Sequence, residues 1–236
     1  MDKTAPVLYK VKDLDGDERF QDLHVNLPRP PSCCVLVGSI KSSKTNTVCN
    51  FLLRNDMFKN RFDIVRVLSA TLHMDKKMQL LDKYFHCDDH YEDKYIDAII
   101  KSQGQYQKDD PNRPTYCLVL DDIISPEFNK RNNSLALFMT KMRHYIDMCI
   151  ISVQSINHIP PLIRAQTRDL IIAKQQNHKE VIKLMEQYGG LLGENGDRKF
   201  LELYNYVHKD QMYQLMYMKI SENPIWVLKN FNERIF

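Results

Sequence analysis

The sequence predicts an α/β fold with a mainly parallel central sheet flanked by helices. Short apolar runs at 33–37, 64–69, 116–120, 148–153 and 169–173 read as buried strands. The stretches between them carry helical spacing, as with Val48, Phe51 and Leu52 after the first run. Buried strands alternating with helices are what a parallel sheet with helical crossovers requires.

The elements follow in order. Cys33-Cys34-Val35-Leu36-Val37 meets Gly38, so the first strand ends in a turn, and residues 44–53 form a helix. After the strand at 64–69, residues 75–84 and 91–101 read as helices. Residues 103–114 are polar, with a glycine and two prolines, and read as an exposed loop. The strand at 116–120 enters Asp121-Asp122, a helix covers 134–145, and the strand at 148–153 ends in Gln154-Ser155. A short helix or turn at 160–166 leads to the strand at 169–173. Beyond Lys174 the pattern changes. Residues 179–188 are helical with Gly189-Gly190 as a C-cap, and 200–207 and 212–220 read as two strands. The tail 223–236 carries Trp226, Val227, Leu228 and Phe231 and is expected to dock. The expected organisation is one domain over 1–236, with a core at about 20–175 and a C-terminal strand-containing extension at about 176–236.

Composition narrows the function classes. With 236 residues, 43% hydrophobic and 27% charged, the chain can fill a sizeable core. A net charge of +3 is too small to mark a nucleic-acid binder by itself. Cys33, Cys34, Cys49, Cys87, Cys117 and Cys149 form no C-x-x-C pair, so they read as free thiols in a reducing compartment. Residues 1–14 lack a signal-peptide apolar stretch, and no run reaches membrane-spanning length. The expectation is an intracellular protein without stable membrane insertion.

The chemistry concentrates at strand ends. Gly38-Ser39-Ile40-Lys41-Ser42-Ser43-Lys44-Thr45 follows a strand and opens a helix, close to the phosphate-loop pattern G-x-x-x-x-G-K-[ST]. Loop N–H groups and the helix N-terminus would converge on phosphate oxygens, Lys44 would reach the β- and γ-phosphates, and the Thr45 hydroxyl would ligate Mg²⁺. Ser43 stands where glycine is expected, which requires backbone angles that suit an L-residue or some strain. Asp121-Asp122 at the end of an apolar strand is a Walker B arrangement. Asp121 would hold Mg²⁺ through its water shell, and Asp122 would orient or deprotonate the attacking water. Gln154 is the candidate sensor between γ-phosphate and water. Arg164, with Arg143 and Arg168 as further candidates, is the candidate arginine finger.

The order of these features resembles a known group. Leu27-Pro28-x-Pro30-Pro31 leads into the loop strand, and Asp121-Asp122 follows. Then come Arg143-His144, the strand at 149–153, Gln154 and Ile159-Pro160-x-x-Ile163-Arg164. This resembles the poxvirus-type DNA-packaging ATPases of large DNA viruses, virophages and related elements, within the FtsK/HerA superfamily of P-loop NTPases. The resemblance covers roughly residues 20 to 175. It implies a RecA-like (ASCE) core, ATP and Mg²⁺ as cofactors, and a homo-oligomeric ring. It further implies double-stranded DNA as the translocated substrate, a capsid or portal-vertex partner, and a host-cytoplasm, viral-factory or virion-associated location. Carried over by position, Gly38, Lys44 and Thr45 match the phosphate loop, Asp121 and Asp122 the Walker B acids, and Gln154 the sensor. Candidate DNA contacts are Lys108, Lys130-Arg131 with Asn132-Asn133, and Lys141 with Arg143. Two other readings remain open on the residues alone: a P-loop nucleotide or nucleoside kinase, and a nucleotide-binding switch with little turnover.

Overall fold

Residue parity along the strands sets the layers. In β1 (Ser32–Val37), Cys33, Val35 and Val37 pack into one hydrophobic cluster, while Cys34 and Leu36 pack into another. The same alternation runs through β4 (Tyr116–Asp121), β5 (Met148–Val153) and β6 (Asp169–Ala173), so each face of the sheet has its own core. Both faces are apolar because both are covered, and the strands therefore read as continuous apolar runs. The computed structural model describes residues 18–107, 110–123, 134–209 and 213–236.

The other strands are β2 (Ile64–Ser69), β3 (His86–Asp88), β7 (Leu215–Lys219), β8 (Trp226–Lys229) and β9 (Glu233–Arg234). Among the described residues nine strands lie in the order β3-β2-β4-β5-β1-β6-β7-β8-β9. The first six in that order pair in parallel, and β7, β8 and β9 add an antiparallel meander beside β6.

On one face lie α1 (Lys44–Leu53) and α2 (Lys76–Leu81), which contribute Val48, Phe51, Leu52, Met78 and Leu81. The other face carries α3 (Asp93–Gln103), α4 (Ser134–Lys141), α5 (Pro161–Arg164), α6 (His178–Tyr188) and α7 (Gly196–His208).

Several expectations need correction. Residues 200–207 are not a strand but most of α7. Phe200, Tyr204 and Val207 are buried at steps of four and three, a helical face, whatever the β preference of tyrosine and valine. Gly189 is the C-cap of α6, as expected, with its N–H donating to Met185 O. Its φ is −59° and the chain continues as a 3₁₀ turn to Gly193, whose φ is 78°. Residues 103–114 are not uniformly exposed, since Gln103 ends α3 buried and Arg113 is buried. The helix expected at 75–84 stops at Leu81, and the one expected at 134–145 gives way to a 3₁₀ turn at Met142–His144. The short edge strand β3 was not anticipated. The expected strand start at Met212 lies outside the described residues, and the strand itself begins at Leu215.

The tail docks on its own core. β8 pairs with β7, and the Phe231 ring packs 5.4 Å from Phe51 and 4.9 Å from Tyr217.

Candidate functional site

Parallel strands deliver their C-terminal ends to one edge of the sheet. β5 lies between β4 and β1, with Val37 opposite Val153 and Ser152 opposite Asp121. Residues 38–45, Asp121, Asp122 and Gln154 therefore emerge side by side, although the chain separates them widely.

The loop 38–45 is folded tightly. Gly38 donates its N–H to Val153 O at 3.1 Å. A side chain at Gly38 would place Cβ 2.3 Å from Ser42 Oγ and 2.7 Å from Ala173 Cβ, so close approach demands glycine there. Lys41 (φ 60°) and Ser43 (φ 81°) both adopt left-handed backbone. Ser43 is thus an L-residue in the conformation that the missing glycine would take freely. It is the N-cap of α1, and its side chain caps nothing. The first turn of α1 holds no acidic residue, which leaves its free N–H groups and positive dipole end available to an anion.

Lys44 is buried, and its Nζ donates to Gly38 O at 2.8 Å and Ser39 O at 3.2 Å. Burial pulls its pKa down, against the opposing pull of Asp122 and Asp121. Asp121 is 2% exposed. Its Oδ2 accepts from Ser69 Oγ at 3.0 Å, while its buried Oδ1 has no hydrogen-bond partner. Burial raises the Asp121 pKa, opposed by the Ser152 and Ser69 hydroxyls and Lys44, while the charge of Asp122 adds to the rise. Asp122 turns out of the strand with φ 46°, its N–H donating to Ser152 O at 2.8 Å. Gln154 Nε2 donates to Asp122 Oδ2 at 3.2 Å, so the candidate sensor and the second acid touch.

The arginines lie elsewhere. Arg143 and Arg168 precede β5 and β6, at the N-terminal edge of the sheet, where they line a cleft of about 1160 Å³ with Arg29, Pro30 and Pro31. Arg164 ends α5, and its Nη1 donates to Gln187 Oε1 at 3.1 Å. None of the three joins Lys44 within the chain. Lys141 is exposed at the end of α4. Lys108 and Lys130, Arg131, Asn132 and Asn133 lie outside the described residues.

Ser69 was missed by sequence reasoning. It ends β2 as a polar residue leaving an apolar strand, the same signal that marked Gln154, and register places it opposite Asp121. The site suits a nucleotide's phosphates and a hard cation: backbone donors and a lysine for the anion, and for the cation the Thr45 hydroxyl with an unpaired buried carboxylate oxygen.

No protein-family model matches the sequence, and a search of curated proteins finds no match. Among the described residues no helix is long and apolar enough to cross a membrane. Solved structures do resemble the fold. The DNA-packaging ATPase of Sulfolobus turreted icosahedral virus aligns with a TM-score of 0.57 at 14% identity, over 85% of this chain and 98% of that one. The genome-packaging NTPase of Sulfolobus turreted icosahedral virus 2, in complex with AMPPCP, gives 0.53 at 15% identity, over 83% and 96%. ATPases 2 and 3 of EssC from Geobacillus thermodenitrificans give 0.50 at 13%, over 65% of this chain and 34% of that one. The chain therefore has the mixed α/β fold, built on a mostly parallel sheet, that these ATPases share.

Proposed function

We propose that this chain is an ATP-hydrolysing motor that moves double-stranded DNA into a viral capsid. One observation carries the reading: residues 38–45, Asp121, Asp122 and Gln154 converge at three adjacent strand ends, on a fold shared with viral packaging ATPases. The placement of β5 between β1 and β4 supports a RecA-like (ASCE) core at about 20–175, with the extension at about 176–236 in the same domain. The poxvirus-type branch of the FtsK/HerA superfamily is the membership this implies.

Each residue then has a role. Lys44 leaves the carbonyls of Gly38 and Ser39 and binds the β- and γ-phosphates. The N–H groups of Ile40, Lys41, Ser43 and Thr45 line the anion, while those of Ser39 and Ser42 stay on the carbonyls of Lys174 and Ser39 and shape the loop. Thr45 and the free Oδ1 of Asp121 fit Mg²⁺ and its water shell. When bound, Mg²⁺ would supply charge neutralisation on the phosphates. Asp122 orients the attacking water and accepts its proton, and Gln154 holds Asp122 in place across 3.2 Å. Aspartate is a methylene shorter than glutamate, and this amide contact fixes where that shorter arm points. An arginine finger must come from a neighbouring subunit, because Arg164, Arg143 and Arg168 all lie away from their own chain's loop. A homo-oligomeric ring would meet that requirement, and the packaging role carries with it a capsid or portal partner and a site of action in the cytoplasm, viral factory or virion.

The test is phosphate release from ATP with and without double-stranded DNA, beside Lys44→Ala. The expected result is DNA-stimulated release that falls by about 100-fold or more in the variant. Tight ATP binding without turnover at any DNA concentration would overturn the motor in favour of a nucleotide switch, and phosphate transfer to a nucleoside would favour a kinase.

A further inference from the structure

The segment that leaves β6 grips the start of the loop 38–45. Ser39 N–H donates to Lys174 O at 3.4 Å, and Gln176 N–H donates to Ser39 Oγ at 2.8 Å. Ser39 Oγ in turn donates to Gln175 Oε1 at 3.1 Å. The hydroxyl has a single proton. The Ser39 hydroxyl accepts from the Gln176 N–H and gives that proton to the Gln175 amide oxygen. The backbone of Gln175 is held from behind, its N–H donating to Tyr204 OH at 2.8 Å. Tyr204 belongs to α7 and is buried. A continuous chain of hydrogen bonds thus runs from the loop, through the exit of β6, into the C-terminal helices.

Stability alone does not explain this glutamine. Gln175 is 7% exposed, and its Nε2 is buried without a partner. An unpaired buried donor is costly, and an aliphatic side chain would avoid that cost. What glutamine supplies is an acceptor aimed at Ser39. Gly38, next in the chain, is itself pressed between Ser42 and Ala173, so the first turn of the loop is held on both sides.

We propose that Gln175 and Tyr204 are positioning residues for nucleotide binding: they preset the first turn of the loop, and with it the direction of the Ile40 and Lys41 N–H groups that would meet the phosphates. This rests on the reading of residues 38–45 as the phosphate loop. The benefit is preorganisation, since a loop fixed before binding loses less freedom when the anion arrives. Tyr204 extends the same restraint to α7, which makes the C-terminal helices part of the binding apparatus.

The experiment is titration of the full chain with a fluorescent ATP analogue and Mg²⁺, paired with melting curves for each variant. Ser39→Ala and Gln175→Ala are each expected to weaken binding by about tenfold, the scale of one lost hydrogen bond. The double variant is expected to be no weaker than either single, because both changes break one contact. Ser39→Thr keeps the hydroxyl and should restore most of the affinity. Tyr204→Phe removes one oxygen and should cost about threefold. Wild-type binding with unchanged affinity in Ser39→Ala and Gln175→Ala, or losses that multiply in the double variant, would overturn the positioning role. Wild-type chain that binds no nucleotide would instead overturn the phosphate-loop reading beneath it.

Discussion

At the N-terminal edge of the sheet Asp147 and Asp169 are buried among partners, whereas at the C-terminal edge Asp121 is buried with one oxygen unpaired. Asp147 Oδ1 accepts from Arg113 Nη2 at 2.7 Å and its Oδ2 from Tyr116 N–H at 2.7 Å. Asp169 accepts from the hydroxyls of Ser32 and Tyr217. These two carboxylates tie strands together. Asp121 accepts from the Ser69 hydroxyl on Oδ2, with the Ser152 hydroxyl beside it, and its Oδ1 has no hydrogen-bond partner. Three of the eight left-handed non-glycine residues described, Lys41, Ser43 and Asp122, also cluster at the C-terminal edge. The acids of one edge hold the fold, and the buried acid of the other keeps an unpaired oxygen beside strained backbone.

Removing an acid at each edge should break this comparison if it is wrong. Asp147→Ala leaves the Arg113 guanidinium, 2% exposed, without its counter-ion. Loss of one partner of a buried pair costs about 3–5 kcal/mol, read by denaturant unfolding, while turnover per folded molecule should stay near wild type. Asp121→Asn should do the reverse. The pKa of Asp121 is raised by burial, so the protonated form fits the fold better. Its contribution to stability is present at low pH and lost as pH rises through that raised pKa. Asparagine imitates the protonated acid, so the nucleotide-free variant should melt higher at pH 7. A change of about 1 kcal/mol moves Tm by about 2–4 °C in a domain of this size. That gain should vanish below the ordinary carboxylate value of 3.8, while turnover at pH 7 falls by about 100-fold. A destabilised Asp121→Asn would mean that this carboxylate serves the fold after all.

A second titrating group sharpens the contrast by responding with the opposite sign. His208 is 5% exposed, with its ring 4.4 Å from Tyr204. Burial, joined by the charge of Lys174, pushes its pKa down to about 4 from 6.5. The folded chain therefore binds this proton less readily than the unfolded chain. The stability is present above pH 6.5 and lost as pH falls toward 4, by up to about 3 kcal/mol. His208→Phe keeps a ring against Tyr204 and should flatten the acid limb of a plot of unfolding free energy against pH. An unchanged limb would assign acid sensitivity to other groups.

The parts of this architecture that were legible in the sequence are those whose signal is local. Five of the six parallel strands were visible because burial on both faces makes them apolar runs. The loop 38–45, Asp121-Asp122 and Gln154 were visible as polar residues leaving those strands. β3 was not, because a three-residue edge strand of His86, Cys87 and Asp88 carries no apolar run. α7 was misread because its residue types favour strands while its burial follows a helical step. Ser69 and Gln175 act on residues far along the chain, and only strand register brings Ser69 to Asp121 and the exit of β6 to Ser39. The arginines show the converse. They are easy to find as residue types, and their distance from the loop is a property of topology alone.

The smallest expected effect concerns Ser43. With φ 81° and ψ 9° it sits in the left-handed region, where an L-residue is strained by about 1 kcal/mol relative to glycine. Ser43 contributes no side-chain cap in return. Ser43→Gly should relieve that strain, but glycine also gains freedom in the unfolded chain, which offsets part of the benefit. The net expectation is a gain on the order of 0.5 kcal/mol, or about 1–2 °C in Tm, with nucleotide affinity unchanged or slightly tighter. Ser43→Val is the control: a β-branched residue at positive φ should lose stability by more than glycine gains. If glycine instead destabilised the chain, the serine would be contributing through its side chain. The C-terminal edge would then be less strained, and closer to the well-partnered edge opposite, than its backbone angles indicate.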